Sequence, residues 1–523
     1  MVYKKFAVAL LAAAVGACAQ IDDAPQTVSA SPVDSGADGK GRELNAISQN
    51  IMDVPEPALP PKDIWQRLRQ GFSLDRETQR PKVKDYVNYF SSNQGYMARV
   101  TERSRRYIFH VAEQLEQANV PMEFALLPIV ESAYDPFAYS HAQASGMWQF
   151  IPATGRSFGL NQNWWYDGRR DVVESTRAAS EYFNYLSAKF DGDWLLVLAA
   201  YNAGEGTVRR AMERNRRSGK GTSFWDLKLP RETQRYVPQL LALAEVVAHS
   251  DHYRVPLHDV GNTPYYTAIN VGSQIDLAQA AELADVEIEE LYLLNPGYNR
   301  WATDPNGSHR LLIPSDKGTQ FIAALEKLPA DQRVSWQRYQ VARGDSLSVI
   351  ARRYETTVAA IQQTNKLRGS RIRAGQTLLI PSASGPSAQY AYSIDQRVQR
   401  KQSSGKGKKS NYTVRPGDTL WGIARSLDVK VRELASWNNM APGDTLRPGR
   451  KLVAYSSAGS SNDRNRTTRK LSYRVRSGDS LYRIARKFSI DISDIVRWNK
   501  ISKNGYLQPG QRLTLFVDSA SNG

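Results

Sequence analysis

Between Lys62 and about Arg254, apolar residues recur at helical spacing: Trp65/Leu68, Val83/Val87 and Ile108/Val111/Leu115 each mark one face of a helix. "DVVE" (Asp171 to Glu174) opens another helix, with an Asp cap and a Glu three residues on, and its pattern runs to about Phe190. The stretch predicts an almost wholly α domain over 61–255, large enough for its own core. Beyond Arg338 the pattern repeats. "YQVARGDSLSVIARRY" (Tyr339 to Tyr354), "YTVRPGDTLWGIARSL" (Tyr412 to Leu427) and "YRVRSGDSLYRIARKF" (Tyr473 to Phe488) align without a gap. Each opens with strand-like alternation, then Gly-Asp-Ser/Thr supplies a turn and a helix cap. Leu347, Ile350, Ala351 and Tyr354 follow at i, i+3, i+4 and i+7, one helix face, and the repeated Leu, Ile and Ala are assigned to the core. An Asn at 365, 438 and 499 precedes a turn and a second strand, "AGQTLLI", "PGRKLVA" and "PGQRLTL". Each unit is thus predicted as β-α-α-β within about 45 residues, over 338–382, 411–455 and 472–517. "INVGSQIDLAQAAELADVEIEELYLLNPGYNRW" (Ile269 to Trp301) and "HRLLIP" (His309 to Pro314) echo this plan without the Gly-Asp, predicting a degenerate module over 262–316.

The segments 382–411 and 455–472 are rich in Ser, Gly, Lys and Arg, which predicts linkers that let the modules move independently. Residues 19 to about 60 carry Ala, Ser, Asp, Gly and Pro without periodicity, as a tether does. At the start, Lys4 and Lys5 precede an apolar run, Phe6 to Val15, too short to span a bilayer, so residues 1–17 are predicted to be a secretory signal peptide. No later segment is apolar for long enough to span a membrane. Cys18 is the only cysteine, which excludes a disulfide within the chain.

The net charge of +17 is unevenly placed. Residues 338–523 hold 34 Lys and Arg against 12 Asp and Glu, whereas the remainder holds 35 against 40. A basic tail on an acidic front suggests an anionic partner. An export signal turns that expectation away from nucleic acid and toward a polyanionic wall or lipid surface, with mere solubility as the alternative.

One residue interrupts the apolar logic. The run Phe124 to Val130 is apolar throughout and ends in Glu131. An ionised carboxylate buried without a partner costs several kcal/mol, so Glu131 either surfaces there into water or is an acid whose pKa the apolar surround raises. A carboxylic acid that keeps its proton near neutral pH can hold and deliver that proton as a general acid does. No metal-ligand spacing, phosphate loop or nucleotide fingerprint occurs, and no cofactor is expected.

Two resemblances sharpen this reading. The three tail repeats resemble LysM modules, which implies binding to the N-acetylglucosamine-containing backbone of peptidoglycan or chitin. "ESAYDPFAYSHAQASGMWQFIPATGRSFGL" (Glu131 to Leu160), "WWYDGRRDVVEST" (Trp164 to Thr176) and "GDWLLVLAAYNAGEGTV" (Gly192 to Val208) resemble bacterial soluble-type lytic transglycosylases. The fold class implied is α+β multidomain: a mainly α, lysozyme-like catalytic domain followed by small βααβ LysM modules. By the same resemblance Glu131 is the sole catalytic acid/base, and Ser132, Ser140, Met147, Gln149, Tyr201 and Asn202 surround the substrate. Ser132 and Ser140 can equally be helix or turn caps, Trp148 is at least as well explained as core, and Asn202 can be structural. Met147 stands where the family commonly has Leu, a volume-conserving change. The implied reaction leaves 1,6-anhydromuramoyl ends, the muramoyl C6 hydroxyl replacing water. A hydrolytic muramidase or a non-catalytic wall-binding protein are the alternatives, and a hydrolase would draw a second carboxylate from Asp135, Asp167 or Glu205. Finally, "VGAC" (Val15 to Cys18) resembles a bacterial lipobox, with Val15 for the usual Leu. That implies lipidation at Cys18 and, with Ala19 following, the periplasmic face of the outer membrane of a Gram-negative bacterium, unless Cys18 is incidental in an ordinary signal. Peptidoglycan strands and the outer membrane are the expected partners, and a monomer the expected state.

Overall fold

The computed structural model describes residues 61–456, except 141 and 355, and, with short gaps, 468–518. The signal, the tether and Cys18 lie outside the described residues. Among the described residues no helix is long and apolar enough to cross a membrane.

The helical region forms ten helices within the described residues. They are α1 (Ile64–Gln70), α2 (Pro81–Ser92), α3 (Gln94–Ser104), α4 (Ile108–Gln117), α5 (Leu127–Ser132), α6 (Pro152–Ser157), α7 (Val172–Lys189), α8 (Trp194–Ala203), α9 (Glu205–Arg217) and α10 (Thr233–Ala248). Side-chain caps set several starts: Asp63 accepts from the Gln66 amide, Asp171 from Glu174, and Asp193 from Leu195 and Leu196. The α7 limits therefore agree with the cap and length predicted from "DVVE". Helix α10 is the axis of the domain. Val237, Leu240, Leu241, Leu243, Ala244 and Val247 are fully buried, and it packs on α2 and α8. The apolar pairs singled out in the sequence, from Trp65/Leu68 to Leu115, all lie in this core.

A second core begins where β1 (Tyr266–Asn270) pairs antiparallel with β2 (Arg310–Pro314), enclosing α11 (Leu277–Ala284) and α12 (Ile288–Leu294). The module continues past 316: α13 (Gly318–Glu326) packs on α11, burying Phe321 and Leu325 in the same core. It is bolted to the helical domain. Arg106 pairs with Glu290 at 2.7 Å and Arg310 with Asp171 at 2.7 Å. Backbone bonds join Asp167 N–H to Gly297 (2.8 Å) and Asn299 N–H to Trp165 (2.7 Å).

The tail repeats are β3 (Ser335–Gln340), α14 (Leu347–Arg353), α15 (Val358–Thr364) and β4 (Thr377–Ser382), then, beyond the helix α16 (Ile394–Ser403), β5 (Lys408–Thr413), α17 (Leu420–Ser426), α18 (Val431–Trp437) and β6 (Lys451–Ser456), and finally β7 (Thr468–Arg474), α19 (Leu481–Phe488), α20 (Ile492–Asn499) and β8 (Arg512–Asp518). In each, the two strands pair antiparallel and the two helices cover them. The repeated Asp and Asn explain why so short a unit holds its shape. The Tyr412 hydroxyl donates to Asp418 at 2.9 Å, and Tyr473 to Asp479 at 2.7 Å. Asn438 donates to the Leu434 and Val453 carbonyls and accepts from the Val453 amide, tying α18 to β6; Asn365 and Asn499 repeat the clamp. So does Asn295 in the degenerate module, between Leu291 and Leu312, although the Asp is missing there.

Asn438 is wholly buried, so Asn438→Ala leaves the Val453 N–H and C=O without partners. Each orphan costs about 1–3 kcal/mol, a large share of what a small core supplies. In the full chain, hydrogen exchange at the Val453 amide is expected to quicken by about a hundredfold, with the Leu312 amide unchanged. Equal protection of Val453 in both chains would show the clamp to be dispensable.

The segment 382–411 departs from its expected looseness. Tyr390 is 2% exposed, its hydroxyl donating to Asp276 at 2.9 Å, and the Ile394 amide bonds Asn299 at 2.7 Å. Asp395 pairs with Arg300, and Tyr392 stacks on Phe137 at 5.2 Å. The Arg397 guanidinium lies 4.8 Å over the same Phe137 ring. Composition misled because these partners are supplied by distant segments. The second expected linker, 455–472, falls largely outside the described residues.

Candidate active site

Glu131 is on the last turn of α5, a six-residue helix with Pro128 in its first turn. The helix stops because Ala133 and Tyr134 both adopt left-handed backbone, φ 54° and 55°. Two such non-glycine residues in a row cost roughly 1–3 kcal/mol each and persist only where packing dictates them. Here it does. The Ala133 and Tyr134 amides donate back to Ile129 and Pro128. Tyr134 is fully buried, stacked on Tyr107 at 6.2 Å, with its hydroxyl donating to Ala125 O at 2.7 Å. The carboxyl is thereby held at the edge of the apolar run and aimed into a cleft of about 760 Å³, a size typical of ligand sites.

Burial pushes the Glu131 carboxyl up to about 7; the Tyr236 hydroxyl, which donates to Oε1, opposes this, and the negative Glu232 adds to it. Both residues lie on or at the start of α10 and line the same cleft. Sequence reasoning missed them. The available signal was a polar stripe, Glu232, Arg235, Tyr236 and Gln239, at i, i+3, i+4 and i+7 on an otherwise apolar helix, and all four line the cleft.

The structure brings Glu131, Ser140, Gln149, Tyr201 and Asn202 together around the cleft. The roles their bonds give them differ from one another. Tyr201 is close enough for the Glu131 charge to act on it, but its hydroxyl donates to Trp148 O at 2.7 Å; Tyr236 is the tyrosine that bonds the acid. Asn202 accepts from Thr233 at 2.7 Å, joining the end of α8 to the start of α10. Ser140 accepts from the amides of Ala142 and Ala144, capping the turn. Gln149 has φ 51° and donates to Gly146 O at 2.8 Å, which fixes its side chain along the wall.

Ser132 and Met147 are not brought to the cleft. Ser132 donates to Met147 O at 3.0 Å and so staples α5 to the Gly146–Phe150 loop. The Met147 side chain is 2% exposed in the core, because the loop turns its backbone and not its thioether toward Ser132. Trp148 is also core, its indole donating to Thr176 at 3.1 Å.

The acids weighed as second carboxylates have other employments. Asp135 accepts from the Phe137 amide at 2.8 Å, Asp167 is in buried ion pairs with Arg169 and Arg170, and Glu205 opens α9. None of them lines the cleft; Glu232 is the acid that shares it with Glu131.

These opposing influences on Glu131 give an expected pH signature. If activity needs protonated Glu131, kcat/KM falls as pH rises through about 7. Tyr236→Phe removes the bond that favours the carboxylate and moves that limb to higher pH. Glu232→Gln removes a repelling charge and moves it lower, each by a few tenths of a unit to about one unit. pH–rate profiles of the two variants check this; shifts in the same direction would refute the electrostatic account.

Family models match in three places: the Transglycosylase SLT domain at 109–224, the Lytic transglycosylase MltD, LysM-like domain at 265–330, and the LysM domain at 339–381, 412–454 and 473–516. The chain is similar to the "Membrane-bound lytic murein transglycosylase D" of Escherichia coli (strain K12), 35% identical over 483 residues, 92% of each chain. A shorter likeness, 44% over 121 residues, links 22% of this chain to 58% of a "Putative tributyltin chloride resistance protein" of Alteromonas sp.. Among solved structures, lytic transglycosylase Slt from Pseudomonas aeruginosa is 21% identical over 27% of this chain and 24% of its own, with a TM-score of 0.22, too low to carry an argument. With an SLT domain, an MltD-type module and three LysM repeats along 92% of a relative's length, the chain belongs to the membrane-bound lytic murein transglycosylase D family.

Proposed function

We propose that the protein is a lyase that cleaves the MurNAc–GlcNAc β-1,4 bond of peptidoglycan without water and leaves 1,6-anhydromuramoyl ends. The observation that carries this is Glu131: an acid held up to about 7 by burial, in a cleft of glycan-binding size. Protonated Glu131 gives its proton to the leaving GlcNAc oxygen as the bond to muramoyl C1 breaks. The muramoyl C6 hydroxyl then bonds to C1, and the Glu131 carboxylate takes the C6 proton. Glu131 ends as it began, no water is consumed, and one residue acts as acid and then base. Gln149, fixed by Gly146 O, faces the sugar, and Tyr201, Ser140 and Asn202 hold the walls.

The LysM repeats retain the enzyme on the wall, and the strongly basic tail adds attraction to an anionic polymer. Lipidation at Cys18 and residence at the periplasmic face of the outer membrane complete the reading, supported by the lipobox-like "VGAC" and by the membrane-bound relative's name. The working division is a signal at 1–17, a tether at 18–60, a catalytic domain at 61–255, a degenerate module that opens at 262 and extends past the expected 316 to include α13, and LysM units at 338–382, 411–455 and 472–517.

Hydrolysis is the second reading, favoured by one observation, the exposed Glu232 in the same cleft, which could hold a water. Mass spectrometry of digested sacculi separates the two. Anhydro ends, one water lighter than hydrolysis products, support the lyase; reducing ends, lost in Glu232→Gln, establish a hydrolase. The absence of both leaves a wall-binding protein.

A further inference from the structure

The residues around the Tyr139–Ser145 bridge form a wall with two faces. Ser140, Ala142 and Ala144 point into the cleft, while the alternate residues Tyr139 and Gln143 point away from it and meet the second LysM unit. The Tyr139 hydroxyl donates to Asp444 at 3.1 Å and the Gln143 amide donates to the same carboxylate at 2.6 Å. Asp444 is in the loop between α18 and β6, where it also accepts from the Ala441 amide at 3.0 Å. Helix α16 supplies a second attachment. Its Gln402 donates to Asn438 at 2.9 Å and accepts from the Tyr455 hydroxyl at 2.6 Å. At its other end α16 is fixed by the Asp395–Arg300 pair and the Ile394–Asn299 bond.

This unit therefore stands beside the cleft, held at two points, and shares a wall with it. It does not obstruct the cleft: no residue of the unit is among those that line it. A brake would have to cover Glu131, whereas a neighbour that leaves the cleft open and is held at a set distance lengthens the surface a linear ligand can follow.

We propose that the cleft and the second LysM unit form one composite site for a single glycan strand, and that Asp444 is the positioning residue that joins them. The proposal rests on the reading of both parts as peptidoglycan-binding. A strand long enough to touch both gains the effective concentration of a fixed neighbour, whereas a short oligosaccharide occupies the cleft alone. The composite site is thus a selector for chain length.

The test uses the full chain with two substrates, a peptidoglycan tetrasaccharide and long uncrosslinked glycan strands. Asp444→Ala is expected to raise KM for long strands by about tenfold with kcat unchanged, and to leave tetrasaccharide cleavage unaltered. Asp444→Ala also removes the loop's own Ala441 bond, so Tyr139→Phe/Gln143→Ala provides the same break from the other side and should give the same split. Asp444→Asn, which keeps an acceptor, should restore most of the loss. An unchanged ratio of long to short KM in both variants overturns the proposal, and so does faster tetrasaccharide cleavage, which would make the contact a brake. Dissociation constants measured in a Glu131→Gln background carry the same comparison without turnover. If the wild type makes no anhydro ends, the lyase reading fails, and the affinity ratio still decides the composite site.

Discussion

Replacing Glu131 with Gln is expected to lower cleavage of isolated glycan by at least 10²–10⁴-fold, because an amide neither gives the first proton nor takes the second. The same change is expected to stabilise the protein at alkaline pH. Glu131 rises from about 4.5 to about 7 on folding. A carboxyl raised by folding contributes stability that is fully present below the unfolded value and is lost as pH rises through the folded one. In the wild type, stability should thus decline between about pH 4.5 and 7 and level off above it. The full shift corresponds to an upper bound on the order of 3 kcal/mol, which Glu131→Gln removes. Thermal melts of the two chains should coincide near pH 4 and separate near pH 8, with the variant higher. Glycan binding should persist, and Glu205→Gln, outside the cleft, should keep most activity. Near-normal anhydro-end formation by Glu131→Gln would return this residue to the role of a helix end that merely surfaces.

Gly146→Ala is expected to be the most damaging single methyl in the site. Gly146 has φ +83°, and a Cβ there would lie 2.0 Å from Arg169 O and 2.9 Å from its carbonyl carbon. Both the conformation and the overlap oppose a side chain, and the obstacle is backbone, which has no rotamer to yield with. Arg169 has little freedom to move, since its guanidinium pairs with Asp167 and donates to Gln143 O and Phe150 O. A cost of about 3 kcal/mol or more is expected, which lowers the melting temperature of a domain this size by about 6–12 °C. Activity should fall further than stability alone explains, because Gly146 N–H bonds Ala138 O and Gly146 O holds Gln149. Calorimetry and turnover at a temperature where the variant is folded test this; full activity with an unmoved melting temperature would refute it.

Legibility in the sequence followed the range of the interaction. Local signals carried through: Asp171 caps α7, and the repeated Tyr, Asp and Asn of the tail prove to be hydrogen-bonded to one another or to the returning strand. The odd position of Glu131 at the end of an apolar run was also visible, since burial by adjacent residues is a local property. What sequence spacing hid was chemistry supplied from afar. Tyr236 is 105 residues from Glu131, and its hydroxyl reaches the acid because α10 crosses the core beside α5. Segment 382–411 looked like solvent-loving chain, yet Asp276, Asn299, Arg300 and Phe137 capture it. Met147 was misplaced for the converse reason: a motif position says which loop builds the cleft, not which side of the loop faces it.

The degenerate module has a consequence for anyone trimming the chain. It keeps the Asn295 clamp of its siblings, but the end of α12 and the loop after it are spent on the helical domain: Pro296 O takes the Arg170 guanidinium at 2.8 Å, and Leu293 O takes the Tyr107 hydroxyl at 2.9 Å. A fragment ending at 255 would strand a buried arginine and a buried tyrosine and strip Asp171 of its Arg310. The unit that folds alone is thus longer than the one that does chemistry. A minimal enzyme should be cut no earlier than the end of α13, so that the LysM-like module, which serves the helical domain as a buttress, travels with the catalyst.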